Sequence, residues 1–245
     1  MSKKLYVTIQ ESRKWVQDMN RLMKNIDTSM DLKFSLSWKG KPIQSENEMN
    51  VDELEKMLFK DKKLLTREDI ERLSTHFRNK INTGKKLAIE NEEIINYTEL
   101  VRNALDYRQW FEFGLHFQRG DLPKKELTNN EFNKFSGGEK AMAMYVPLFA
   151  AISAQYQKSS PDCPRIIALD EAFAGVDEKN ISSMFKLVED LNFCYIMNSQ
   201  ALWGCYETVT ELKIAELQRP MNSDVVTVIF YDWNGTERIL DDTHI

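Results

Sequence analysis

Two short stretches of this 245-residue chain are of a type and spacing that could do chemistry together. RIIALDE, Arg165 to Glu171, closes a run of four apolar residues with two acids. A run such as Ile166 to Leu169 suits a parallel strand buried on both faces, and sites in parallel sheets form at the carboxyl ends of the strands. One carboxylate there can hold Mg²⁺ or its water shell while the other orients and deprotonates a water, which is the division of labour that phosphoryl transfer needs. Taken alone, the same stretch also reads as an ordinary strand followed by an acidic helix cap. About thirty residues upstream stands FSGGEK, Phe135 to Lys140. Two successive glycines let the backbone approach a ligand closely, Ser136 offers a hydroxyl, and a helix starting there presents free N–H groups and its positive dipole end. The plainer reading makes Ser136 only the N-cap of the apolar stretch AMAMYVPLFAAI. Downstream of the acids, AFAGVD brings Asp177 to the start of another helix. The ordered series is far more specific than any one of its members.

The elements that would have to position these residues follow from periodicity. CPRIIALDE reads as a buried strand, VDEKNISSMFKLVEDL as an amphipathic helix, FCYIM as a second buried strand and CYETVTELKIAEL as a second helix. DVVTVIFYDWNG reads as a strand and turn, with a short strand at ERIL. This alternation predicts an α/β layer of parallel strands flanked by helices. Nearer the N-terminus, Trp15, Met19, Leu22, Ile26 and Met30 make one stripe on a helix, which either faces a core or forms the root of a short coiled coil. LKFSLSWKG alternates as a strand, with Leu32, Phe34, Leu36 and Trp38 on one face. Thr66 and Asp69 form a capping box that starts a helix with an apolar face of Ile70, Leu73 and Phe77. NYTELVRNALDYRQW predicts a further helix, WFEFGLHFQ a strand, and residues 121–134 a loop.

Composition bounds the rest. With 42% hydrophobic and 29% charged residues the chain is of ordinary globular type. The longest apolar run, Ala141 to Ile152, contains Pro147 and is well short of the roughly twenty residues needed to cross a bilayer. The basic start MSKKLYVTIQESRKW has no apolar stretch behind it, so no signal peptide is expected and the cytoplasm is the expected compartment. Cys163, Cys194 and Cys205 and the isolated His76, His116 and His244 predict reduced thiols and no structural metal. The net charge of −5 is uneven: Lys and Arg against Asp and Glu count 25 to 22 over residues 1–134 and 8 to 16 over the remainder. The first part is therefore the better candidate for an anionic partner. Within it, the stretch from Lys56 to Lys86 has ten basic residues against four acids, and reads either as a nucleic-acid contact or as a solvated face.

The series FSGGEK, IIALDE and AGVD resembles the C-terminal half of an ABC-type ATPase head of the SMC and SbcC class, matching its signature motif, Walker B motif and D-loop in that order. The resemblance covers roughly residues 100–240. Within the class, LDYRQWFEF, AMAMYVPLFAAISAQY and NSQALWG are similar to the JetC-type ATPases of Wadjet plasmid-defence systems. It implies ATP and Mg²⁺ as cofactors, with Ser136, Gly137, Gly138 and Glu139 binding nucleotide held by an opposing head and Asp170 supporting the metal. Glu171 would be the catalytic base, and Asp177 would couple the two sites. Implied partners are an N-terminal Walker A half, a second head, DNA, and kleisin-like or nuclease subunits, with no membrane. Residues 1–100 are then an extension with a coiled-coil root, and residues 101–245 the head lobe. Two rivals stay open: a nuclease-partnered DNA-repair ATPase of the SbcC type, and a non-hydrolysing binding module. The sequence departs from the family twice. Asn198, Ser199 and Gln200 stand where a switch histidine should follow FCYIM, and none can act as a cationic or titrating group. No G-x-x-x-x-G-K-[ST] loop occurs, since Gly84-Lys85-Lys86 lacks both the first glycine and the hydroxyl residue. The chain therefore resembles a separated C-terminal lobe.

Overall fold

The computed structural model describes residues 2–26, 31–43, 48–92, 94, 96–199, 203–221 and 224–241. Met30, Gln200 and His244, named above, lie outside them. Two compact units divide the chain, one of residues 1–18 and 36–116, the other of residues 19–35 and 117–245. The first helix, α1 (Ser2–Lys24), buries Ile9, Val16, Met19 and Met23. That stripe shares only Met19 with the predicted one. Trp15 and Leu22 are half-buried, and Ile26 falls beyond the end of the helix. Ile9 sits in a hydrophobic core cluster, so the N-terminal end of α1 faces a core.

In the first unit that cluster joins Ile9 to Met49, Val51, Leu54, Trp110 and Phe111. Strand β1 (Leu32–Gly40) brings Trp38 onto Phe111 with ring centroids 4.0 Å apart. Helix α2 (Val51–Phe59) starts at Asn50, whose side chain accepts the Glu53 N–H. Helix α3 (Arg67–Glu90) has the predicted capping box, with Thr66 and Asp69 bonded reciprocally. Leu73 and Phe77 pack against the core, whereas Ile70 is 52% exposed and does not belong to that face. Helix α4 (Tyr97–Leu105) leads to Trp110, whose indole N–H donates to the Ala104 carbonyl. Strand β2 (Phe111–Arg119) follows as predicted. The bonds Lys41 N–H to Trp110 O and Gly120 N–H to Asp31 O join opposite ends of β1 and β2, so the two run antiparallel. The basic stretch is partly spent on acids: Lys60 pairs with Asp69, Arg72 with Glu53 and Lys80 with Glu48, while Lys85 lies over the Tyr97 ring.

His76 gives this unit a pH dependence. It is buried, and its Nδ1 accepts the Met49 N–H at 3.1 Å. Burial first, and the Lys80 charge second, hold its pKa below the ordinary histidine value against an opposing pull from Glu48. The folded ring stays neutral while the unfolded chain takes up the proton, so stability is full above about pH 6.5 and is lost as pH falls through and below that value. Thermal midpoints should therefore drop between about pH 7 and 5.5, and His76→Gln should flatten that slope. An equal slope in the variant would exclude His76 as its source.

The second unit holds the motifs. Residues 121–134, expected as a loop, contain the short strand β3 (Lys125–Glu126), which joins β1 and β2 in order β1-β2-β3, and the one-turn helix α5 (Asn129–Asn133). Helix α6 (Gly137–Tyr156) buries Met142, Val146, Phe149 and Ala150, and α7 (Glu178–Asp190) buries Met184, Phe185 and Val188. Pro147 lies inside α6, which continues through it.

Strands β4 (Ile166–Leu169) and β5 (Cys194–Met197) pair in parallel, Ile166 opposite Cys194 and Ala168 opposite Ile196. The expected parallel layer is corrected to this two-stranded sheet. Nor is β4 buried on both faces: Ile166 is 49% and Ile196 68% exposed, and Ala168 and Cys194 on the same side are exposed with them. TELKIAEL, expected as a helix, is strand β6 (Leu212–Gln218), antiparallel to β7 (Thr227–Trp233), on which β8 (Arg238–Leu240) follows antiparallel. Leu, Glu, Lys and Ala favour helix intrinsically, but Leu212, Ile214 and Glu216 point one way along a pleat that VIFYDW can pair, and pairing overrides propensity. The Trp233 indole N–H donates to Val209 O at 2.9 Å and Lys213 bridges Asp232 and Asp241, fixing this sheet. No helix among the described residues is long and apolar enough to cross a membrane.

Candidate phosphoryl-transfer half-site

FSGGEK is a helix start. Ser136 is the N-cap of α6, its Oγ accepting the Glu139 N–H while Glu139 Oε2 accepts the Ser136 N–H at 2.8 Å. Because the hydroxyl serves as acceptor, its own proton remains for a further partner. Glu139, expected among the nucleotide-binding residues, has its second oxygen engaged by Arg119, so both oxygens shape the turn. Phe135 anchors the turn from below, 5% exposed, edge-on to Phe117 at 5.0 Å.

The turn meets the AGVD loop. A methyl group at Gly137 would lie 3.6 Å from Gly175 O; one at Gly138 would lie 2.1 Å from Asn180 Nδ2 and 3.1 Å from Asp177 Oδ2. Only a glycine at 138 lets the start of α6 seat against the start of α7. Asp177 caps α7, with Oδ1 accepting the Asn180 N–H at 3.1 Å and Oδ2 the Asn180 side-chain N–H at 2.5 Å. The Asn180 amide first, and its backbone N–H next, hold the Asp177 carboxyl below the usual range, so it stays ionised.

Asp170 and Glu171 stand at the carboxyl end of β4, as predicted. From there the chain passes through three left-handed residues in alternation, Glu171 (φ 49°), Phe173 (φ 58°) and Gly175 (φ 73°), of which only the last is a glycine. Two features hold this loop. Phe173, 3% exposed, is wedged between Tyr145 of α6 and Phe185 of α7, and its N–H donates to the Tyr145 hydroxyl. Asn198, next after β5, bonds the loop three times: its N–H to Leu169 O at 3.1 Å, its carbonyl from Ala172 N–H at 2.9 Å, and its side-chain Oδ1 from Glu171 N–H at 2.7 Å.

The structure thus seats Gly137 against Gly175 and Gly138 against Asp177 and Asn180, and joins Glu171 to Asn198. Sequence reasoning missed Arg119, Tyr145, Asn180 and the role of Asn198. The one signal available was the polar residue straight after FCYIM.

Known proteins resemble parts of the chain. Residues 102–190 match the family model described as SbcC/RAD50-like, Walker B motif. A solved structure described as "Structural biochemistry of ATP-driven dimerization and DNA stimulated activation of SMC ATPases" is similar over 48% of this chain at 18% identity and a TM-score of 0.33. The match covers 65% of that structure's chain. No curated protein matches.

Proposed function

We propose that this chain is the C-terminal lobe of an ATP-hydrolysing head of the SMC and SbcC type, active when completed by an N-terminal half that carries the P-loop. The observation that carries this reading is the junction at Gly138, which joins the signature turn to the AGVD loop that leads from the two acids of β4. The Walker B match over residues 102–190 supports it. ATP with Mg²⁺ is the substrate complex, the metal neutralising charge on the phosphates. Asp170 supports the metal. Among the described residues no three His, Cys, Asp or Glu side chains converge, so its remaining ligands would be water and phosphate oxygens, as Mg²⁺ prefers. Glu171 orients and deprotonates the attacking water. The Ser136 hydroxyl and the Gly137 and Gly138 N–H groups, at the positive end of α6, face the γ-phosphate held by an opposing head. Asp177 couples the two sites, and Glu139 shapes the signature turn.

The open face of β4 and β5 supports a missing half, because an apolar sheet face of this kind is ordinarily covered. DNA handling, in plasmid defence or at DNA ends, completes the proposal, with the Lys56 to Lys86 stretch toward DNA and kleisin-like or nuclease subunits as partners; the resemblance and that basic stretch support it. Calorimetry and a binding assay test the half-site. The chain by itself should bind Mg²⁺-ATP no tighter than about millimolar, since its sequence holds no G-x-x-x-x-G-K-[ST] loop to cradle the β and γ phosphates. Ile196→Asp should leave its melting temperature unchanged, Ile196 being 68% exposed, yet abolish pairing with a P-loop half. Micromolar ATP affinity of the lone chain would sink the reading.

A further inference from the structure

The geometry points to Asn198 as a positioning residue for the Glu171 carboxylate, acting through the backbone and not through the phosphate. The inference rests on the reading of Glu171 as the general base. Its ground is the 2.7 Å bond from Glu171 N–H to Asn198 Oδ1. A backbone N–H can bond only an acceptor, so this contact fixes which end of the amide faces Glu171 and turns Nδ2 away from that N–H. The acceptor is placed with little freedom, because the backbone N–H and carbonyl of Asn198 are themselves bonded to Leu169 and Ala172 on either side of the two acids. What it holds is a residue in an uncommon conformation: Glu171 has φ 49°, in the left-handed region that few residues other than glycine adopt. With the φ of Glu171 set, the direction in which its side chain leaves the backbone is set as well. The residue standing where a switch histidine is expected therefore serves the base through its side-chain oxygen.

The test has two readouts. In the chain alone, amide hydrogen exchange at Glu171 should speed up by at least about tenfold in Asn198→Ala and stay slow in Asn198→Asp, whose carboxylate keeps the acceptor. Unchanged exchange in the alanine variant would overturn the clamp. In an ATPase completed by a P-loop half, Asn198→Ala should lower kcat by about tenfold with KM for ATP within about twofold, as expected for a misaimed group, and Asn198→Asp should recover most of that loss. A raised KM with kcat unchanged, or an aspartate variant worse than alanine, would mean that Asn198 faces the phosphates and would overturn the inference. Glu171→Gln in the same complex separates the two ideas. Full turnover there removes the base itself, and the positioning role with it, while the exchange result would still describe the loop.

Discussion

Glu171→Gln should cut ATP turnover by about 10²-fold or more in the completed head while Mg²⁺-ATP stays bound. Glutamine keeps nearly the volume of glutamate and loses only the ability to take a proton, and the bond that fixes residue 171 is made by its backbone N–H, which the substitution leaves in place. ATP-bound, engaged heads should therefore accumulate, measurable as a nucleotide-dependent dimer by light scattering. Asp170→Asn should behave differently, weakening metal-dependent binding itself. The two acids are adjacent in sequence, so separate outcomes would show separate jobs. If Glu171→Gln turned over at the wild-type rate, the catalytic assignment would fail, and the chain would be a binding module that keeps the signature turn and AGVD loop for shape.

The second large effect is expected at Gly138. In Gly138→Ala the new methyl meets Asn180 Nδ2 at 2.1 Å, and Asn180 has nowhere to go: it is 2% exposed and held twice by Asp177. Overpacking of this kind costs about 1–3 kcal/mol, against at most about 1 kcal/mol gained from the helix propensity of alanine, a net loss of up to about 2 kcal/mol. The melting temperature should fall by up to roughly 8 °C, taking about 2–4 °C per kcal/mol for a chain of this size. Gly137→Ala, whose methyl sits at an ordinary 3.6 Å from Gly175 O, should be tolerated. Removing the obstacle in Gly138→Ala with Asn180→Ala should restore part of the loss, a coupling that a double-mutant cycle measures directly. Additive losses would mean that the clash at the α6–α7 junction is not the cause.

What the sequence made legible was mostly what short spacing encodes. The capping box at Thr66 and the N-cap at Ser136 need partners only three residues away, and the acids after Leu169 need only a strand end. The strands at Leu32–Gly40 and Cys194–Met197 were likewise legible as strands, although the second is not buried as expected. What escaped depends on distant partners. TELKIAEL carries helix-forming residues and becomes β6 because VIFYDW lies beside it. Ile166 and Ile196 look like core residues and stand open, since no local pattern tells whether a second layer will cover them. Asn198 is a plain polar residue until the loop it holds is placed 27 residues back along the chain, and Asn180 until Gly138 is packed against it.

The alternation of left-handed residues after β4 sets two kinds of selection against each other at one position. Gly175 adopts its conformation without strain; Glu171 does not, and a glycine or asparagine there would suit the backbone better. A lineage released from the need to turn over nucleotide would have reason to lose Glu171 early while Asp177, Gly138 and Phe173, which the local packing rewards, drift more slowly. On the proposed reading of Glu171 as the base, the residue at 171 in descendants of such a chain is a record of whether chemistry was still being selected when the sequence last changed.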